Sequence, residues 1–412
     1  MKKNKIVILG GGFGGTYTFK ALHKYFHGSS KVEIKLVNKT NYFLFTPLLH
    51  EAATGGVLPH HVVEPIRKVL SCCLNDFFLA EAKSVDTRKR VVTTSRGKLS
   101  YDYLVLALGS QANYYNIKGA KQHAFSLKTL EDAQKLKKHF IRTFEKADKT
   151  KSESLRKELL SFVIVGGGPT GVEIATEMSE FFRKTMPKRH AKPNGVHITL
   201  VQKQRELLPQ FSHFIRETSK KSLESLHVET KLGRSVVSVA KTGVKLDNVE
   251  TIRARTAVWV GGVKPNQLSC SKPLPTAASG KIKVNEYLQV KGYKSIYALG
   301  DNASFIDSKS KKEVPALAQV ATRQASVVAH NIAISITGGE PKEYRYQHQG
   351  YLLSLGRWMA VGEIFGRPVK GPWVWWIYRT VYLSKLLSWR KRISVAVEWT
   401  INLFSPRDIS EV

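Results

Sequence analysis

The sequence predicts an α/β protein built from two strand–glycine turn–helix–strand units, the second inserted in the first, followed by C-terminal amphipathic helices. Three observations predict it. An apolar run at 5–9 (KIVIL) closes on Gly10-Gly11-Gly12-Phe13-Gly14-Gly15, then passes through a helical pattern into a second apolar run at 32–37. The same order recurs at 161–165, Gly166-Gly167-Gly168-Pro169-Thr170-Gly171, a helical pattern from Val172 to about Phe182, and 196–201. Finally, five of the seven tryptophans fall in the last forty residues, next to a cluster of positive charge.

The glycine turns come first. In G-x-G-x-x-G the glycines let the chain turn tightly and bring backbone N–H groups up to a pyrophosphate at a helix N-terminus. One such turn is weak evidence, but two in strand–helix context define a pair of Rossmann-like dinucleotide-binding domains. Two sites in one chain suggest that one dinucleotide stays bound while the other comes and goes. The second strand of each unit should end in a carboxylate that grips a ribose; here the candidates are Asn38, followed by Lys39, and Gln202. Without the carboxylate at Gln202, rejection of a 2′-phosphate is lost; Lys203 and Arg205 beside it either assist such a phosphate or are solvated surface charges.

Other apolar strands are expected at 103–107, ending in Leu108-Gly109-Ser110, at 257–260, ending in Gly261-Gly262, and at 295–299, leading into Gly300-Asp301. The domains then read 1–125 and 266–366 as two parts of the first dinucleotide domain and 126–160 as a helical connector. Residues 161–265 form the second dinucleotide domain, and 367–412 a C-terminal membrane-associating segment.

Composition narrows the partners. Hydrophobic content of 42% is ordinary for a globular chain, whereas a formal charge of +33 calls for an anionic partner such as nucleotide or acidic lipid. Three cysteines (Cys72, Cys73, Cys270) cannot build a disulfide framework, so a reducing compartment is expected. The opening MKKNKIVILGGG runs from basic residues into a strand, so no signal peptide is expected, and no 18-residue apolar run predicts a spanning helix. The basic run at 183–192 (RKTMPKRHAK) is the best nucleic-acid candidate, but it reads as a solvated loop, and no nucleic-acid partner and no metal are expected.

At Asn41-Tyr42-Phe43-Leu44-Phe45-Thr46-Pro47-Leu48-Leu49, with Ala53-Thr54-Gly55 and Glu64-Pro65-Ile66-Arg67 downstream, the chain resembles the type II NADH:quinone oxidoreductases. Gly166–Gly171 with Val172-Glu173, Ala318-Gln319-Val320-Ala321, Gly356-Arg357-Trp358-Met359-Ala360-Val361 and the Trp-rich tail extend the resemblance over essentially the whole length. The resemblance implies noncovalent FAD on Gly10, Gly12, Phe13, Gly14, Gly15, Asn38, Lys39, Thr46, Pro47, Gly109, Asp301 and Gln319. It implies NADH, with NADPH admitted, on Gly166, Gly168, Pro169, Thr170, Gly171, Glu173, Gln202 and Gly262. Glu173 and Gln319 are the implied positioning and proton-handling residues, with a quinone at Gln319, Arg323 and Gln324. Family members commonly carry glutamine where this chain has Arg323, with Gln324 one place on. A C-x4-C redox pair after the first glycine turn is missing, and so is a late cysteine, which sets aside the disulfide reductases and the sulfide:quinone oxidoreductases.

The tail gives the address. On a helical wheel Trp375, Trp376, Tyr378, Tyr382, Leu383, Leu386, Leu387 and Trp389 share one face, which suits a helix lying in a membrane interface. A core helix is the alternative. Arg379 falls in the apolar sector and is expected to snorkel. Residues 393–404 (ISVAVEWTINLF) alternate like a strand but also place Ile393, Ala396, Val397, Ile401 and Phe404 on one helical face; the resemblance favours a second interfacial helix. Residues from Arg367 onward carry only +5 of the +33, so the tail does not explain the basicity. The expectation is a flavoprotein that oxidises NADH and reduces a membrane quinone, peripheral through 371–404 on the cytoplasmic face, with a homodimer left open. A soluble-carrier acceptor is the runner-up, and a basic scaffold protein binding nucleic acid the third reading.

Overall fold

The structure, a computed structural model, describes residues 3–70, 76–186, 195–347, 350–407 and 409. Cys72, Cys73 and residues 187–192 of the basic run lie outside the described residues. The chain packs as two compact units: Met1–Leu44, Glu64–Gln111 and Lys264–His348 form one, and Phe45–Val63, Ala112–Val263 and Gln349–Val412 the other. Residues 112–125 and 350–366, expected with the first dinucleotide domain, therefore cluster with the second unit, as does the short segment 45–63.

In the first unit a five-stranded parallel sheet runs in the order Ile296–Ala298, Tyr103–Leu106, Asn4–Leu9, Val32–Asn38, Phe77–Leu79. Its central strand is apolar on both sides because parallel strands are covered on both faces, and Ile6 through Leu9 are almost wholly buried. The register sets Ile8 against Leu36, so the glycine turn after Leu9 emerges at the C-terminal edge of the sheet. The helices Phe13–Phe26 and Ala318–Thr337 pack on each other in this unit. A four-stranded sheet of Ser269–Cys270, Ala82–Asp86, Val91–Thr94 and Gly97–Ser100 completes it.

The second unit repeats the plan. Its parallel sheet runs Ala124–Ser126, Thr256–Trp259, Ser161–Val165, His197–Gln202, Val228–Leu232. The connector is two helices, Leu130–Lys149 and Glu153–Leu159. The first begins at a capping box in which Thr129 Oγ1 accepts the Asp132 N–H at 3.1 Å and Asp132 Oδ2 accepts the Thr129 N–H at 3.0 Å. Its buried stripe brings Phe140 and Phe144 against Phe162 and Phe182, with ring centroids 5.0–6.4 Å apart. The helix Pro169–Glu180 is buried almost all round, as a core helix should be, yet carries three glutamates.

The tail starts with a three-stranded antiparallel sheet, Tyr351–Ser354, Ala360–Ile364 and Arg367–Gly371, and ends in the helices Pro372–Lys385 and Trp389–Phe404. One expectation changes here. Much of the proposed lipid face is interior: Trp375, Tyr378 and Leu386 are buried and Tyr382, Leu383 and Leu387 half-buried, while Trp376 and Trp389 are exposed. Sequence periodicity marks an apolar stripe but not what covers it, and here the antiparallel sheet covers it. Residues 393–404 are helical, the alternative the resemblance favoured.

Among the described residues, no helix is long and apolar enough to cross a membrane. One buried imidazole makes a stability test. His139 Nε2 meets Thr256 Oγ1 at 2.8 Å, and burial pushes the ring's pKa down to about 4. The folded ring thus stays neutral while the unfolded one takes a proton below its ordinary value, so folding stability falls as pH drops from about 6.5 toward 4. His139→Gln should flatten the thermal-unfolding midpoint across that window relative to the parent chain.

Candidate functional site

The two glycine turns are built alike. Gly10 and Gly166 have φ of +105° and +117°, a region that favours glycine. A β-carbon on Gly15 would lie 1.8 Å from the Gly10 carbonyl oxygen, and one on Gly171 would lie 1.8 Å from that of Gly166. By contrast, β-carbons on Gly12 and Gly168 would meet nothing within 4 Å. Both turns therefore present open backbone directly before a helix, the arrangement that receives a pyrophosphate. Phe13 opens the first helix and packs edge-on to Phe43 at 5.0 Å; Pro169 occupies the first turn of the second, with Thr170 exposed after it.

The strand-end amides, expected as ribose ligands, are engaged with the turns themselves. Asn38 Oδ1 accepts the Gly11 N–H at 2.9 Å while its Nδ2 donates to the Thr40 carbonyl at 2.9 Å. Gln202 Oε1 accepts the Gly167 N–H at 2.8 Å and its Nε2 donates to Gln204. In each unit the amide ties the turn's second glycine to the strand. A carboxylate could also accept that N–H, but only an amide can donate as well. Lys39, Lys203 and Arg205 are exposed.

At the far strand of the first unit, Ser110 Oγ donates to Asp301 Oδ2 at 2.5 Å, one residue after Gly109, whose φ is +70°. Gln324 is buried and its Oε1 accepts the Gly300 N–H at 2.8 Å, so it builds this turn. Arg323 Nη1 donates to the Gln347 carbonyl at 2.7 Å. Gln319 sits half-exposed in the first turn of Ala318–Thr337. The geometry fits FAD: an open glycine turn, the Gly109–Ser110 bend and an acidic group at the end of a neighbouring strand share one sheet edge.

In the second unit Thr46 and Pro47 lie in a short 3-10 turn, and Gly262 approaches Tyr115 so closely that a β-carbon would meet its hydroxyl at 2.1 Å. Glu173 is buried, with His50 Nδ1 3.9 Å from its Oε2. Burial pushes its carboxyl up to about 7, so near neutral pH it holds or releases a proton. Sequence reasoning missed its neighbours Glu51, Glu177 and Arg407. The signal was available: Glu173, Glu177 and Glu180 recur at helical spacing inside an otherwise buried helix.

Arg379 does not snorkel. Its guanidinium lies between the Trp375 and Trp399 rings, 3.8 and 4.4 Å from their centroids, facing Glu51 and Glu177 inside the unit. The helix Trp389–Phe404 is turned the other way. Ile393, Val397 and Ile401 are half-exposed and Phe404 is 86% exposed, while Glu398 accepts from Leu58 N–H at 2.7 Å and pairs with His61 at 2.6 Å. Asn402 donates to the Gly56 carbonyl at 2.9 Å. Glu398 and Asn402 thus bond inward beside buried Val395 and Trp399, while the apolar row Ile393, Val397, Ile401 and Phe404 lies outward.

The pyridine nucleotide-disulphide oxidoreductase family matches residues 4–325, and the NDH2 C-terminal domain matches 348–408. A type II NADH:quinone oxidoreductase of Staphylococcus aureus is 31% identical over 90% of this chain and 92% of its own length. The chain belongs to the type II NADH:quinone oxidoreductase family. Another relative, the mitochondrial internal alternative NAD(P)H-ubiquinone oxidoreductase A1 of Arabidopsis thaliana, is 29% identical over 100% of this chain and 86% of its own. The fold matches that of NDH2 from Plasmodium falciparum with a TM-score of 0.91 at 23% identity, covering 99% of this chain and 100% of that one. For this type II oxidoreductase the two glycine positions separate folding from binding. Gly15→Ala should cost at least about 3 kcal/mol of stability through its clash. Gly12→Ala should melt like the parent yet retain less flavin, read as the flavin-to-protein absorbance ratio after gel filtration.

Proposed function

We infer that this chain oxidises NADH with FAD and passes the two electrons to a quinone at a membrane surface. One observation carries the reading: a helix in the same chain as two dinucleotide turns leaves the apolar row Ile393, Val397, Ile401 and Phe404 outward while Glu398 and Asn402 hydrogen-bond inward. A helix so turned is stabilised by an apolar neighbour, and lipid is the neighbour that also dissolves a quinone. Exposed Arg390 and Arg392 on the same helix suit anionic headgroups, and Trp389 suits the interface. The chain then lies peripherally on the face bathed by the NADH pool, the cytoplasmic face of a cell or inner membrane.

Gly10, Gly12, Gly14 and Gly15 would hold the FAD pyrophosphate and Asp301 the ribityl chain, while Asn38 and Gln324 fix the turns that do so. When bound, FAD supplies a two-electron relay between nicotinamide and acceptor. Gly166, Gly168 and Gly171 would receive the nicotinamide dinucleotide. Gln202 is neutral and engaged with Gly167, so no carboxylate repels a 2′-phosphate and NADPH is accepted alongside NADH. Glu173, its carboxyl raised to about 7, exchanges a proton near neutral pH, and Gln319 orients the acceptor.

Anaerobic addition of NADH should bleach the flavin, and quinone should restore it; bleaching without recovery would point to a soluble acceptor. Asparagine at Val397 and Ile401 should weaken binding to anionic vesicles by about tenfold or more, because each apolar side chain placed in lipid contributes roughly 1.5–3 kcal/mol. The melting temperature should not change, since both side chains face outward. Unaltered vesicle binding would remove the helix from the membrane contact.

A further inference from the structure

A tyrosine outside both glycine turns stands at the edge of the second unit's parallel sheet. Tyr115 has a φ of +49°, and Asn116, next in the chain, one of +57°. Residues other than glycine avoid this left-handed region, and a bulky aromatic side chain avoids it most. Hydrogen bonds hold the segment there. Asn113 Oδ1 accepts the Tyr115 N–H at 3.1 Å, and the Asn113 N–H donates to the Gly262 carbonyl at 3.0 Å. The Asn113 carbonyl accepts the Trp259 Nε1–H at 2.8 Å, and the Tyr114 ring packs on the Trp259 ring at 5.8 Å. Tyr115 is thereby set over Gly262, where only a glycine leaves room for its hydroxyl and ring edge. The side chain still remains 58% exposed, so the strain does not serve a buried core.

Its place in the sheet says what it meets. The strand Thr256–Trp259 runs parallel to Ser161–Val165, with Trp259 beside Val165, so both chains leave the sheet at the same edge. A β-carbon on Gly166 would lie 2.5 Å from the Gly261 Cα, so Gly261 and Gly262 abut the second glycine turn. They do so across the central strand from His197–Gln202. A dinucleotide with its pyrophosphate on that turn lies along the carboxyl ends of the strands, its adenosine ribose toward the end of the strand that follows the glycine helix. That end is Gln202, so the nicotinamide half falls toward Gly261, Gly262 and Tyr115. We propose that Tyr115 stacks on the nicotinamide ring of the bound dinucleotide. This rests on the reading that the second glycine turn takes NADH. Planar rings favour an offset stack, and a tyrosine fixed by its own backbone bonds is in position before the ligand arrives.

The test uses the full chain with FAD bound and a pair of probes that differ only in the nicotinamide ring, NAD+ and ADP-ribose. Neither reduces the oxidised flavin, so both affinities are read by calorimetry. Tyr115→Ser should weaken NAD+ by about tenfold, the worth of one aromatic stack, and leave ADP-ribose within about twofold. Tyr115→Phe keeps the ring and should bind both probes like the parent. The KM for NADH should follow the NAD+ affinity across these chains. Tyr115→Gly gives the left-handed backbone the residue that favours it, so it should melt no lower than the parent while losing NAD+ as the serine variant does. Equal losses of NAD+ and ADP-ribose in Tyr115→Ser would make the side chain a support for the turn and overturn the stack. Unchanged NAD+ affinity in Tyr115→Ser would overturn it too. A parent chain that binds neither probe would overturn the nicotinamide reading of the second glycine turn itself.

Discussion

The burial of carboxylates against guanidinium groups organises the second unit. Segments far apart in sequence meet there: Glu51 from the short helix Leu49–Ala53, Glu173, Glu177 and Glu180 from one helix, Arg379 and Trp399 from the two tail helices, and Arg407 beyond them. Such a cluster is a poor source of net stability, since desolvating the charges offsets much of their attraction. It is a strong source of specificity. A tail shifted by one helical turn would leave charges buried and unpaired, so a single placement of the helices satisfies the cluster.

That placement fixes which sides of the tail are left outside. With Trp375, Tyr378 and Arg379 committed inward, Trp373 and Trp376 remain exposed. With Glu398 and Asn402 bonded to residues 56–61, the row Ile393, Val397, Ile401, Phe404 has nowhere to go but outward. The exposed apolar surface thus follows from internal polar bonds, and the membrane reading rests on this inversion more than on tryptophan content.

The glycine turns show a second economy. The same geometry is reached twice, down to the 1.8 Å clearance and an amide that accepts the second glycine's N–H. The amides at Asn38 and Gln202 read from sequence as weakened ribose ligands; in the structure they brace the loops. A side chain that both accepts and donates can link turn and following loop, which a carboxylate cannot do.

Local chemistry was legible in the sequence. The period of apolar residues and the glycine spacing determine the parallel strands, the two dinucleotide turns and the helices that follow them, because these depend on backbone sterics and near neighbours. The Thr129–Asp132 cap belongs to the same class. Tertiary structure alone decided what each face meets. The sequence could place Arg379 in an apolar stripe but not between two indole rings, and it could place Gln324 near Gly300-Asp301 but not on the Gly300 N–H. Whether a charged or amide side chain faces solvent, a ligand or a buried partner depends on segments distant in the chain, and no local pattern encodes that partner.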